Sequence, residues 1–341
     1  MSVLTIPASV TVIGKYAFRS SAISEIKFAP RATGKEETPF EPLKLGESVF
    51  TYCASLKKAT FPDGLTSIPD STFYNCAALT YVYVPKTVAN GDDVVAGVSG
   101  FARAIGPRAF YHCESLSEIE FGLGGTGDLS FAERAFWGCT SLKTIDLPES
   151  LTYLGTYTFQ NSGLTSVTIP AGVKHLSLGK TSSAASGTHV VYTFANCTDL
   201  VSVTFNEGLE TMGRFVFSGC TSLESVKLPS SLYCMDRENF SNSGLKSITI
   251  PATLTDWDYS FINCTSLVTV TLERGITEIP YSAFSGCTSL TTVNLPDTLT
   301  EMARGVFSGC TSLSNIVLPE SLVEIGGSAF ANCTSLKLSL I

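Results

Sequence analysis

Apolar residues recur along the chain in one phrase. Phe284-Ser285-Gly286-Cys287-Thr288-Ser289-Leu290, read on to Pro296, returns as Phe307 to Pro319 and, with small changes, across the whole sequence. Its copies begin at 13 phenylalanines: Phe18, Phe50, Phe73, Phe110, Phe136, Phe159, Phe194, Phe217, Phe240, Phe261, Phe284, Phe307 and Phe330. From Phe261 onward, and between several earlier pairs, they stand 23 residues apart. With phenylalanine as position 1 the unit reads F-x-G/N-C-T-S-L-x-x-V-x-L-P-x-S/T-L-T-x-I-G-x-x-A/V, apolar at positions 1, 4, 7, 10, 12, 16, 19 and 23. Only the pair at 10 and 12 alternates as a strand does, which predicts one short strand per repeat. A unit this small leaves its apolar side wet when alone. Stacked in register with its neighbours it buries that side in a continuous column.

Punctuation supports the same unit. Proline at position 13, as in Pro62, Pro148, Pro229 and Pro296, has no N–H to give a ladder and ends the strand. Glycine or asparagine before the cysteine suits a tight turn. Extra residues interrupt the period near 29–46, 85–105, 122–132 and 171–193, each time after a strand and before the next phenylalanine. Insertions at equivalent places project from one flank of a stack, and all four fall before Phe194. Both ends break off inside the pattern: Leu4 and Ile6 occupy strand positions of a repeat without its front, and Ser339-Leu340-Ile341 stops at a strand. A stacked core needs polar caps. The expectation is therefore a fragment of a longer chain, or ends that associate with other chains through open sheet edges.

Leu290-Thr291-Thr292-Val293-Asn294-Leu295 fits L-x-x-L-x-L, the strand signature of leucine-rich repeats, whose period is about 20–29 residues. Together with Ala283-Phe284-Ser285-Gly286-Cys287-Thr288-Ser289-Leu290 and Leu295-Pro296-Asp297-Thr298-Leu299-Thr300 it resembles the BspA-type leucine-rich repeat, from Leu4 to Leu336. The resemblance implies an α/β-type repeat solenoid. Residues 1–341 would form one right-handed leucine-rich-repeat domain of about 13 repeats, with a parallel β-sheet on the concave face and turns or short helical pieces opposite. It also implies a cell-surface or extracellular protein that attaches to host matrix, cells or other microbes. One departure is that Thr298 and Ser321 stand where the family at large carries an asparagine ladder, so hydroxyls must satisfy that turn.

Charge narrows the partners. A net charge of -8 and a pI near 5.0 give no reason to bind phosphate backbones or anionic membranes. There is no apolar run long enough to span a bilayer, and no basic leader after Met1.

Ten of the 11 cysteines sit at repeat position 4, Cys234 being the exception. None forms a C-x-x-C pair or a zinc spacing. Neighbours in a stack would lie ~4.8 Å apart with parallel side chains, which favours buried, reduced, space-filling thiols over disulfides. Ser162 and Ser243 take the cysteine's place in shortened repeats, so the site wants a small residue. His175 and His189 flank one insertion, but no carboxylate or cysteine cluster completes a metal set. His112 precedes Cys113, yet adjacent side chains point apart, which removes a Cys–His dyad. The triplets at Asn196, Asn263 and Asn332 match a glycosylation acceptor because the repeat recurs. No nucleophile elbow or phosphate loop occurs, and neither a cofactor nor a metal is expected.

Recognition should therefore lie on the outward side of the strands, at positions 9 and 11. From Ser166 onward this face is nearly all small hydroxyls. Earlier it carries Lys58, then Tyr81 and Tyr83, then Glu118 and Glu120, then Asp146 on successive rungs. Two exposed tyrosines beside three carboxylates offer flat apolar area and hydrogen bonds to a protein or glycan ligand. The expected function is a non-catalytic binding or adhesion module. The alternatives are the targeting part of a larger enzyme and an intracellular scaffold.

Overall fold

The computed structural model describes residues 2–29, 42–88, 104–123, 128–176 and 191–337. Most of the expected insertions near 29–46, 85–105 and 171–193 lies outside these residues, as do 124–127 of the one near 122–132. The chain divides into two compact units, Met1–Val173 and Lys174–Ile341.

In the first unit Val3–Ile6, Glu25–Phe28, Lys58–Thr60, Tyr81–Val84 and Glu118–Phe121 form one parallel sheet in chain order. These are the segments in which the pattern places strands. Position 10 points inward, and Ile26, Ala59 and Val82 have no exposed surface. The second unit repeats the arrangement, with Ser247–Ile250, Thr269–Leu272 and Thr292–Asn294 in parallel register. Turns join the strands, and the described residues contain no helix.

A second strand per repeat is present that the hydrophobic pattern does not predict. It spans positions 18 and 19, and pairs Glu278–Ile279 with Glu301–Met302 and Glu324–Ile325, and His175–Leu176 with Thr211–Met212 and Cys234–Met235. In the first unit Leu129–Phe131 pairs with Leu151–Leu154 in the same way. Two residues are too few for alternation to register, so position 19 reads in the sequence as one isolated apolar residue.

Rings carry the core. In the first unit Phe18, Phe50, Phe73, Phe110, Phe136 and Phe159 stack with centroids 5.0–5.5 Å apart and planes within 17°. From Phe194 to Phe330 the second unit has a like column at 5.3–5.7 Å. All 11 cysteines are free, ten of them buried and Cys333 half-buried. Their role goes beyond filling space: each position-4 thiol from Cys53 to Cys139 donates to the carbonyl of the preceding repeat's phenylalanine, as Cys113 does to Phe73 at 3.1 Å. Burial pushes the Cys113 and Cys220 thiols well above their ordinary value, so they stay protonated donors.

Hydroxyls do stand in for the asparagine ladder. Thr298 accepts from the Gly275 N–H at 3.0 Å and donates to the Ile276 carbonyl at 2.8 Å, and Thr87 and Ser231 repeat the pattern. The residue before each position-4 cysteine turns left-handed, as at Asn263 (φ 58°) and Gly286 (φ 75°), as the glycine and asparagine preference predicts. At Gly286 a Cβ would lie 2.2 Å from the Asn263 side-chain oxygen of the preceding repeat, so a side chain there would displace that amide. A second left-handed residue, two before each phenylalanine, is occupied by Tyr157, Phe215 or Tyr259 and has no such sequence signal.

Candidate functional site

The parallel register sets the outward residues of the first sheet in two rows. Lys58, Tyr81 and Glu118 are successive partners in one; Thr60, Tyr83 and Glu120 are partners in the other. The Lys58 ammonium lies 4.4 Å from the Tyr81 ring centroid, a cation–π contact. On the diagonal, the Tyr81 hydroxyl donates to Glu120 Oε2 at 2.8 Å. Lys58, Tyr81 and Glu120 therefore form one connected chain across three strands. Desolvation, then the bond to Glu120, push the Tyr81 phenol up to about 12. Desolvation, with the charges of Asp63 and Glu120, also raises that of Tyr83. Both tyrosines are half-buried, whereas Glu118, Glu120 and Asp146 are exposed. A Cβ at Gly122 would lie 2.5 Å from the Lys86 backbone nitrogen and 3.0 Å from the Tyr83 hydroxyl, so glycine admits the Lys86 backbone, with Tyr83 beside it.

Asp146 is placed differently. Its segment, Thr144 to Leu147, occupies strand positions 9–12 but joins no ladder, and the five-stranded sheet ends at Glu118–Phe121. A cleft of about 730 Å³ lies between that last strand and residues 144–150. Glu118, Glu120, Asp146 and Glu149 line it, with Lys86 the one cation among the described lining residues. Among the described residues no ion pair engages Glu118, Asp146 or Glu149. The structure thus brings Glu118, Glu120 and Asp146 to one cleft, and sets Lys58, Tyr81 and Tyr83 on the sheet face beside it. Lys86 and Glu149 lie at strand ends, beyond the face positions from which the sequence was read.

Other candidate chemistry resolves into structure. His112 sits 3.2 Å from Glu114 and packs edge-on against Tyr111 and Trp137, while the Cys113 thiol is turned inward. His175 Nδ1 lies 2.9 Å from the Thr211 hydroxyl, and His189 falls outside the described residues. Among the described residues no three His, Cys, Asp or Glu side chains form a metal set. On the turn side Tyr74, Tyr111 and Trp137 stack face to face, 4.8 and 4.7 Å apart. Aromatic residues at position 2 of three successive repeats are the sequence signal for this column.

A family model for the BspA type leucine rich repeat region, in six copies, matches residues 1–93, 100–181, 190–280 and 257–340. The chain belongs to the BspA-type leucine-rich repeat family. Solved structures similar to this BspA-type chain include a leucine-rich repeat protein from Bacteroides ovatus, 23% identical over 92% of this chain and 85% of that one, with a TM-score of 0.44. A leucine rich cell surface protein from Faecalibacterium prausnitzii is 23% identical over 86% and 79%, with a TM-score of 0.44. The pneumococcal vaccine antigen PcpA is 20% identical over 94% and 73%, with a TM-score of 0.45. Among curated proteins none matches. No helix among the described residues is long and apolar enough to cross a membrane.

Proposed function

We propose that this chain is a non-catalytic interaction module, displayed at a cell surface, that binds a protein or glycan partner on the outward face of its first sheet. The observation that carries this is the cleft beside Glu118–Phe121, where Glu118, Asp146 and Glu149 have no ion-pair partner among the described residues. Beside it Lys58, Tyr81 and Glu120 hold one another in place, which reduces the entropy lost when a partner docks. Membership of a leucine-rich repeat family supports the same reading, since such stacks work as long recognition surfaces.

The test is binding of the purified chain to a panel of immobilised matrix proteins, host cells and glycans, with Y81A/Y83A as the comparison. Loss of binding with an unchanged thermal transition is expected. Equal binding by the double variant overturns the assignment of this face.

A further inference from the structure

The break in the main ladder exposes backbone as well as side chains. Glu118 N–H donates to the Thr80 carbonyl and Gly122 N–H to that of Val84. In a parallel ladder this turns the main-chain groups of residues 118, 120 and 122 toward the Tyr81–Val84 strand, and those of Ile119 and Phe121 the other way. Ile119 and Phe121 both line the cleft. Across it, Thr144 to Leu147 make no backbone hydrogen bond among the described residues. The repeats remain in contact elsewhere: the Phe110 and Phe136 rings stack at 5.0 Å, and Leu129–Phe131 pairs with Leu151–Leu154. Only the main ladder is parted at this rung.

We propose that the cleft takes an extended, basic peptide segment of a partner protein, which pairs its backbone with the free edge at Ile119 and Phe121. The proposal rests on the interaction-module reading and adds the partner's chemistry and mode of docking. An unpaired edge at a parted ladder offers main-chain donors and acceptors in register for one added strand. Alternation sets the side chains of such a strand. Those on the outward side stand beside Glu118 and Glu120 and across from Asp146, where lysine or arginine would be opposite carboxylates, of which Glu118 and Asp146 have no ion-pair partner among the described residues. Those on the inward side meet Ile119 and Ile145 at the cleft floor and must be small.

Charge distinguishes this rung from others like it. The second unit also has unpaired runs at Ser225 to Leu228 and Asn315 to Leu318, but their outward residues are Ser225, Lys227, Asn315 and Val317. No carboxylate faces outward there.

The experiment uses a capped peptide of alternating threonine and lysine, a fully N-methylated copy that keeps its charge but has no amide donor, and a threonine–glutamate peptide. Titration calorimetry on the whole chain should show binding of the first alone, with the N-methylated copy at least about ten-fold weaker. E118K/D146K should weaken the first by at least about ten-fold, and E301K/E324K, which changes net charge equally on strands of the second unit, should not. Equal binding of the N-methylated copy, or equal effects of the two charge reversals, overturns the proposal. Panel binding that is lost in Y81A/Y83A while the threonine–lysine peptide fails to bind overturns edge pairing alone and leaves the interaction surface standing.

Discussion

The thiol of Cys287 donates to the carbonyl oxygen of Phe261 at 3.2 Å, and the same oxygen accepts the Cys264 N–H at 3.3 Å. The two bonds close the turn of one repeat and fasten it to the next. Serine keeps a donor at the cysteine position and alanine does not. C287A should therefore lie about 1 kcal/mol below C287S in urea unfolding. Equal stability would return the cysteine to a merely space-filling role.

Thiol chemistry should follow burial. Of the 11 cysteines Cys333 alone is half-buried. A thiol reagent added to the native protein should modify Cys333 first and the others at the rate of unfolding. The fast phase should vanish in C333S, and the denatured protein should titrate all eleven.

Glu278, Glu301 and Glu324 stand in register on successive second strands. Desolvation, then Glu301 and Asp258, raise the carboxyl of Glu278 above its usual value of 4.5. A carboxyl raised in the folded state favours folding while both states are protonated, and that contribution is lost as pH rises through the folded value. Stability from this site should thus fall from about pH 4.5 upward. E278Q should raise Tm at pH 7 and reduce the slope between pH 4.5 and 7 in thermal melts.

Tyr81 should titrate last among the tyrosines of the first sheet. The difference in ultraviolet absorbance between the wild type and Y81F should give a phenol with a midpoint of about 12. Because desolvation is the larger cause and Glu120 the next, E120Q should lower that midpoint only part of the way toward 10.

The parted rung should be visible in hydrogen exchange. Amides from Thr144 to Leu147 should exchange faster than those of Lys58 to Thr60 or Thr269 to Leu272, which sit inside ladders. Addition of the threonine–lysine peptide should protect Ile119 and Phe121.

The stack was legible in the sequence because its signals repeat. One phenylalanine says little, whereas a series in phase with cysteine, leucine and proline identifies strand, turn and core. The hydroxyl ladder at Thr298 followed from the same phase. The second strand was not legible, since Glu301–Met302 is too short to alternate. Nor was the parting at Thr144 to Leu147, whose residues fit the strand pattern as well as those of paired rungs. Pairing depends on the separation of neighbouring backbones, which no single repeat encodes. At the candidate site, the shared rows of Lys58, Tyr81 and Glu118 came from phase alone. The diagonal bond from Tyr81 to Glu120, and the half-burial of both tyrosines, required side-chain geometry.

Around the parted rung the phenylalanine rings of Phe110, Phe136 and Phe159 remain stacked. Cohesion between neighbouring repeats there is shared by the stacked rings, the second ladder and turn bonds such as Phe110 N–H to the Ala135 carbonyl, while the main-chain ladder is dispensable at a given step. A protein built this way can leave its backbone unzipped at a chosen place without dividing its interior. New recognition sites can then arise by loosening one rung, with no inserted domain and no change to the residues that hold the stack.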